Sequence, residues 1–345
     1  MAGGSAKAVY SAIAANGFLT VAKFVGFIIS GSASMLSEAI HSFSDTANQS
    51  LLAIGMKRSG RPPSTAHPYG YGRELYVWVL VSAVGIFFLG CGLSLYHGVM
   101  GVLHPHEVEN RSLALIVLAV SAIVEGWTLW VAVTEVRRAA KAAGVPFLQY
   151  VREGSDPLAV AVLLEDGAAE LGVLIAAACL GIATWTGDAR WDAAGSIVIG
   201  LLLGFVAIFL IVRSSDILIG RSADDETTER IRSVLDRSPF VEATTREAVT
   251  ILGPDHLHYK VEVDFNGHTV AEDFLAGLTD EERAGVIEHF GDLETLDRFF
   301  VKYGDRLMDH LGCIIDEIEG TIQELVPAVK HVDLEVHSSA EKSRK

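Results

Sequence analysis

From Leu75 to Val102, and again from Ala193 to Val212, the chain runs without a single Asp, Glu, Lys or Arg. A bilayer core about 30 Å thick takes about 20 apolar residues in helical form, and runs of this length argue for helices that cross a membrane. Val9–Ile29, Met35–Ile54, Leu113–Val133 and Leu158–Ile182 are long enough to bring the expected spans to six. These four carry embedded charges, so buried helices of a large soluble core are the alternative for the first, second and fifth runs. Six such segments in succession speak against it.

Basic residues near the ends of the runs set an orientation. The Gly31–Ala33 turn has none, the His104–Asn110 loop is followed only by Arg111, and the Thr186–Asp192 turn has only Arg190. The other loops hold the rest, from Lys7 through Arg58 and Arg138 to Arg221. Six spans with this bias predict a multi-pass protein of the cell (inner) membrane with both termini cytoplasmic. The first run begins within a few residues of Met1, which leaves no expected transit or signal peptide.

Charge divides the chain at the same place as hydropathy. Residues 1–220 carry a net −2, whereas residues 221–345 carry −14 of the total −16. The expected domains are therefore 1–220, membrane-embedded, and 221–345, acidic and water-seeking. An acidic excess excludes nucleic acid as partner, since phosphates need Lys and Arg. Cys91, Cys179 and Cys313 are too few and too far apart for a disulfide framework or a cysteine zinc site.

An ionisable residue at mid-bilayer costs roughly 3 kcal/mol or more, which makes it functional until a partner explains it. In the second run Glu38, His41, Asp45 and Gln49, spaced 3, 4 and 4, form one polar stripe of a helix turning about 100° per residue. An imidazole and a carboxylate four apart point the same way and can grip one cation. In the fifth run Asp166 and Glu170 share a face, while Glu165 lies about 100° from Asp166. Acids this close repel, and a divalent cation or an exchangeable proton resolves the conflict; the alternative pairs them with Lys23 of the first run or with one another. Imidazole with carboxylates suits a divalent transition metal better than Ca²⁺ or Mg²⁺. The candidate metal residues are therefore His41, Asp45, Asp166, Glu165, Glu170 and Glu38.

Ser30-Gly31-Ser32-Ala33 leading to His41-x-x-x-Asp45, His67-Pro68-Tyr69-Gly70-Tyr71-Gly72, Leu164-Glu165-Asp166-Gly167-Ala168-Ala169, and His331-Val332-Asp333-Leu334-Glu335 together resemble the cation diffusion facilitator family. The resemblance covers the whole chain and is strongest to the branch of the mitochondrial zinc transporter (zinc transporter nine), whose fifth span also carries Leu-Glu-Asp. It implies a homodimeric metal/proton antiporter with six spans and a cytoplasmic ferredoxin-like domain. His41 and Asp45 fall on the family's metal pair of the second span, and Asp166 on the second member of the fifth span's His-x-x-x-Asp pair. Val162 stands where that pair's histidine would be, which leaves a fourth ligand to Glu165, Glu170, Glu38 or water. At the family's second metal site, between spans two and three, only His67 matches; Ser64 and Tyr71 replace the rest, so the loop is read as ordered but without metal.

Beyond Ala223 the pattern changes period. Thr227–Leu235 predicts a helix, Ala248–Leu252 and His258–Phe265 strands, Leu293–Leu325 a long helix, and Val329–Val336 a last strand. An insertion over 267–292 is expected to carry one short helix, with Thr279 and Glu282 spaced as a capping box. His256, His258, His268, His331 and His337 are candidates for regulatory metal, although the positions matching the family's ligands there are Glu262, Glu335 and His337. The expectation is thus a transporter that exports Zn²⁺ in exchange for protons by alternating access, with Mn²⁺, Fe²⁺ or Cd²⁺ as the alternative substrate and no catalytic cofactor. A membrane metalloenzyme and a metal sensor are the alternatives from other classes.

Overall fold

The computed structural model describes residues 2–105, 108, 110–142, 144–153, 157–253, 256–287 and 293–337. The chain divides into two compact units, Met1–Arg221 and Ser222–Lys345.

The first unit is helical. It comprises α1 (Ala2–Ser30), α2 (Ala33–Ser59), α3 (Glu74–Gly85) running through a π-helical segment, Ile86–Gly92, into α4 (Leu93–Leu103), α5 (Arg111–Ala142), the short α6 (Phe147–Glu153), α7 (Pro157–Thr186) and α8 (Arg190–Ile219). All six apolar runs are therefore helical. Among the described residues, however, only four stretches are both long and apolar enough to cross a membrane: Glu74–Leu103, Arg111–Lys141, Val162–Thr186 and Arg190–Ile219. Among the described residues α1 contributes a shorter apolar stretch, Asn16–Ser30. In α2 polar side chains interrupt the run, and they face inward: Ser34, Ser37, Glu38, His41, Ser42, Ser44 and Asn48 are all buried. Polar groups in such a helix belong inside the bundle, where protein rather than lipid surrounds them.

Hydrogen bonds across helices place α2. Ser32 caps its first turn by accepting from the Met35 amide at 3.1 Å. Asp192, buried at the start of α8, accepts from Ser32 Oγ (2.8 Å) and from the Ala33 amide (2.6 Å), and also binds the Ser34 hydroxyl. A carboxylate suits the unpaired amides of a helix N-terminus. Small residues let α4 and the π-helical segment lie close against α8. A Cβ on Gly98 would sit 2.6 Å from Ile197, and one on Gly204 would sit 2.9 Å from Cys91 Sγ. A Cβ on Gly200 of α8 would likewise sit 3.1 Å from Leu95.

The second unit is a mixed sheet covered by helices. Asp224 accepts from the Thr227 amide at 2.8 Å and starts α9 (Asp225–Arg237). β1 (Val241–Gly253) and β2 (His256–Phe265) pair antiparallel, and β2 pairs parallel with β3 (Val329–Val336), giving the order β1-β2-β3. β1 starts well before the expected Ala248. Ile231 and Leu235 of α9 and Ile314, Ile318 and Ile322 of α12 (Leu293–Leu325) pack on Val249, Tyr259, Val261 and Val263 of the sheet. Residues spaced by four present one helix face. The insertion holds two helices rather than the one expected, α10 (Gly267–Ala276) and α11 (Asp280–Ile287). The capping box forms: the Thr279 amide donates to Glu282 Oε2 at 3.0 Å, and the Glu282 amide donates to Thr279 Oγ1 at 3.3 Å.

Candidate metal site

Helix α2 turns Glu38, His41 and Asp45 into one column, as their spacing requires. His41 Nε2 lies 3.4 Å from Asp45 Oδ2, and His41 Nδ1 lies 4.0 Å from Glu38 Oε1. The His41 ring is therefore flanked by a carboxylate at each end. Around Asp45 the carboxylates of Glu165 and Asp166 on α7 and of Glu125 on α5 are close enough to act on its charge. The structure does not gather these groups into a closed shell. Among the described residues no three of His, Cys, Asp and Glu stand together as metal ligands.

The six candidates separate by partner. Glu165 accepts a hydrogen bond from the Asn48 side-chain amide, and the Asn48 carbonyl oxygen in turn accepts from Ser82, a chain linking α7, α2 and α3. Glu38 is an ion-pair partner of Lys23, whose ammonium lies 2.8 Å from Glu38 Oε2 and 2.7 Å from Glu125 Oε1. This makes Lys23 a partner of buried acids. Glu170 faces Gly126 of α5, where an added Cβ would meet its carboxylate oxygens at 3.6 Å and 3.8 Å. Val162 is half-buried and packs against the apolar cluster of Ala132, Val136 and Leu163.

Several buried polar atoms find no hydrogen-bond partner among the described residues: His41 Nδ1, Glu38 Oε1, Gln49 Oε1, Glu125 Oε2 and Glu170 Oε2. Unpaired buried polar atoms are costly, and most of these are acceptors suited to a cation. Glu125 is absent from the sequence-derived set. It is the one charge between Leu113 and Val133, so depth alone marks it, but no neighbour at helical spacing draws attention to it. Its partner is on another helix.

The loop after α2 is ordered by its own side chains. The rings of His67 and Tyr71 lie 4.5 Å apart, Ser64 Oγ is 3.1 Å from Tyr71 Oη, and Ser64 and His67 exchange two backbone hydrogen bonds. In the second unit, Glu262 accepts from Arg246 at 2.7 Å and lies 3.6 Å from His337 Nδ1, while Glu335 binds Lys260 at 2.5 Å. His256 stacks on His331 at 5.1 Å, and His258 Nε2 lies 2.7 Å from Asp333 Oδ2. Burial, with His331, Lys330 and His258 nearby, pushes the His256 imidazole below its ordinary range. His268 stands apart with Glu272 at 3.3 Å.

Comparison with known proteins adds kinship. Residues 9–219 match the cation efflux transmembrane domain. The human mitochondrial proton-coupled zinc antiporter SLC30A9 is 44% identical over 333 residues, 96% of this chain and 59% of that protein. Metal tolerance protein C4 of Arabidopsis thaliana is 39% identical over 337 residues, 97% of this chain and 74% of that one. The cation-efflux pump FieF of Shewanella oneidensis is 27% identical over 261 residues, 74% of this chain and 82% of that protein. The chain thus spans about three fifths of the length of its human relative.

Proposed function

Because this chain belongs to the cation efflux family of membrane transporters, and so is no enzyme, we propose that it exports a divalent metal ion, zinc foremost, in exchange for protons. The observation that supports this reading most is the His41–Asp45 pair at 3.4 Å, set among the acids of α5 and α7 with His41 Nδ1 unpartnered. His41, Asp45 and Asp166 are the ligands in this reading, with Glu165 or Glu170 or water completing the shell. Asp166 would join the pair on α2 to complete the ion's protein ligands. The ion supplies the charge that the mutual repulsion of the acids calls for.

Liganding needs a neutral imidazole and ionised carboxylates, so protons and metal compete for the same atoms. Helices that rock about this point expose it to one side and then the other. On the side richer in protons the competition releases the metal, and on the other side the protons leave as metal binds. Efflux thereby draws on the proton gradient. We further take the protein as a homodimer whose acidic second unit is the family's ferredoxin-like domain, on the side of both termini. The cell (inner) membrane expected from the sequence gives way here to the inner mitochondrial membrane, because the human relative is a mitochondrial antiporter; that membrane supplies a proton gradient, and a fluorescent fusion imaged in the native cell tests the location.

Asp45→Ala and Asp166→Ala test the assignment. Each should abolish metal uptake into proteoliposomes while elution volume and helical content match the parent, because both residues serve the ion rather than packing. Uptake near the parent rate in either variant removes that residue from the site.

A further inference from the structure

The cation that the first unit holds without any ligand added is its own. Lys23 is fully buried, and its ammonium sits between Glu38 Oε2 at 2.8 Å and Glu125 Oε1 at 2.7 Å, joining α1, α2 and α5. Each acid spends one oxygen on Lys23. The other oxygen of each, Glu38 Oε1 and Glu125 Oε2, is buried without a hydrogen bond among the described residues. Glu38 Oε1 also lies 4.0 Å from His41 Nδ1, and Gly172 of α7 leaves room for it: a Cβ there would strike that oxygen. Carboxylate oxygens and an imidazole nitrogen are the donor types that a divalent cation takes, although among the described residues these are not gathered into a metal site.

Stability is a weak reason for such a triad. A buried ion cluster is often no better than apolar packing of the same volume, because desolvation offsets the attraction. We propose that Lys23 is a resident cation filling a second cation position beside His41, and that it sets the metal selectivity of the site by withholding Glu38 and Glu125 from the transported ion. The proposal rests on the reading of His41, Asp45 and Asp166 as that ion's ligands. With Lys23 in place, the ion meets imidazole and a limited number of carboxylates. Without it, added carboxylate oxygen hardens the donor set and shifts preference from Zn²⁺ towards Mn²⁺. Because the ammonium is tethered to α1, it stays beside both acids and offsets one of their two negative charges.

The experiment uses the full chain in proteoliposomes and reads the ratio of Mn²⁺ to Zn²⁺ uptake. Lys23→Met with Glu125→Gln removes one charge of each sign, which preserves the net charge of the triad and frees Glu38. Its Mn²⁺:Zn²⁺ ratio should rise by about tenfold or more, the lower end of what changing a metal's supporting shell does to affinity. Adding Glu38→Gln to that pair removes the freed acid, and the ratio should return to the parent's. Glu125→Gln alone leaves Lys23 holding Glu38 and should keep the parent ratio; this variant is the check should the double variant fold poorly. A double variant with the parent ratio, a triple variant that shifts as far as the double, or a shift in Glu125→Gln alone overturns the proposal. Failure of the parent itself to transport metal would instead overturn the function proposed above.

Discussion

Val162 shows how one side chain tests the site. It lies one helical turn before Asp166 on α7 and packs in the apolar cluster with Ala132, Val136 and Leu163. Val162→His should place an imidazole on the face of Asp166 and raise the Zn²⁺:Mn²⁺ uptake ratio, since imidazole favours the softer ion. The added atoms cost about 1–3 kcal/mol of packing, readable as a lower melting temperature. A lower melting temperature with an unchanged ratio means that the histidine stays in the apolar cluster. Residues that share a helix were legible in the sequence: the interval of four between His41 and Asp45 becomes a 3.4 Å approach. Pairs between helices were not, because nothing in a linear pattern brings Lys23 to Glu125, or Asn48 to Glu165. Glu38 illustrates both cases, on the predicted stripe but bound to a partner that the stripe does not contain.

Helices and strands carry their own predictions. A Cβ at Gly98 would meet the Ile197 side chain at 2.6 Å and its backbone nitrogen at 2.9 Å, whereas at Gly181 of α7 nothing lies within 4 Å. Gly98→Ala should destabilise the helical unit by about 1–3 kcal/mol through overpacking, and Gly181→Ala should be neutral or stabilising through helix propensity; detergent-resistant unfolding curves measure both. On the sheet, burial and the nearby His331, Lys330 and His258 lower the His256 pKa. A histidine with a lowered folded-state pKa supports the fold above its unfolded value of about 6.5, and that support is lost as pH falls below it, because the unfolded chain then takes the proton more readily. The protection factors of the β2 and β3 amides, which remove the intrinsic pH dependence of exchange, should therefore fall between pH 7.5 and 5.5, and His256→Phe should weaken the effect. An equal loss of protection in parent and variant would assign it to other groups. The long apolar face of α12 was readable to its ends, but the start of β1 was not: Glu242–Arg246 is polar, lacks alternation, and is drawn into the sheet by pairing such as Thr244 with Val263.

At the scale of the whole protein, competition between protons and metal has a measurable sign. Metal affinity should fall as pH drops from about 8 to 6, around the reference value of imidazole, and a pH dye trapped in vesicles should report proton movement opposite to metal movement. Metal flux that is insensitive to an imposed pH gradient, with a silent dye, would make the protein a uniporter. His41→Ala should flatten part of the pH dependence. The division of the chain by hydropathy and charge was visible in its residues, whereas the interior polarity of α2 obscured which runs lipid would accept. The hold of Asp192 on the Ser32–Ser34 turn has a mechanical consequence. A helix whose first amides are gripped by a neighbour cannot swing alone, and Ser37 ties α2 to Ser196 of α8 again, at 2.5 Å. In the transport cycle proposed above, α2 and α8 would move as one lever that carries His41 and Asp45, and the Asn48–Glu165 hydrogen bond, which fastens α7 and its Asp166 to that lever, would be the latch that any sliding between the two grips on the ion has to release.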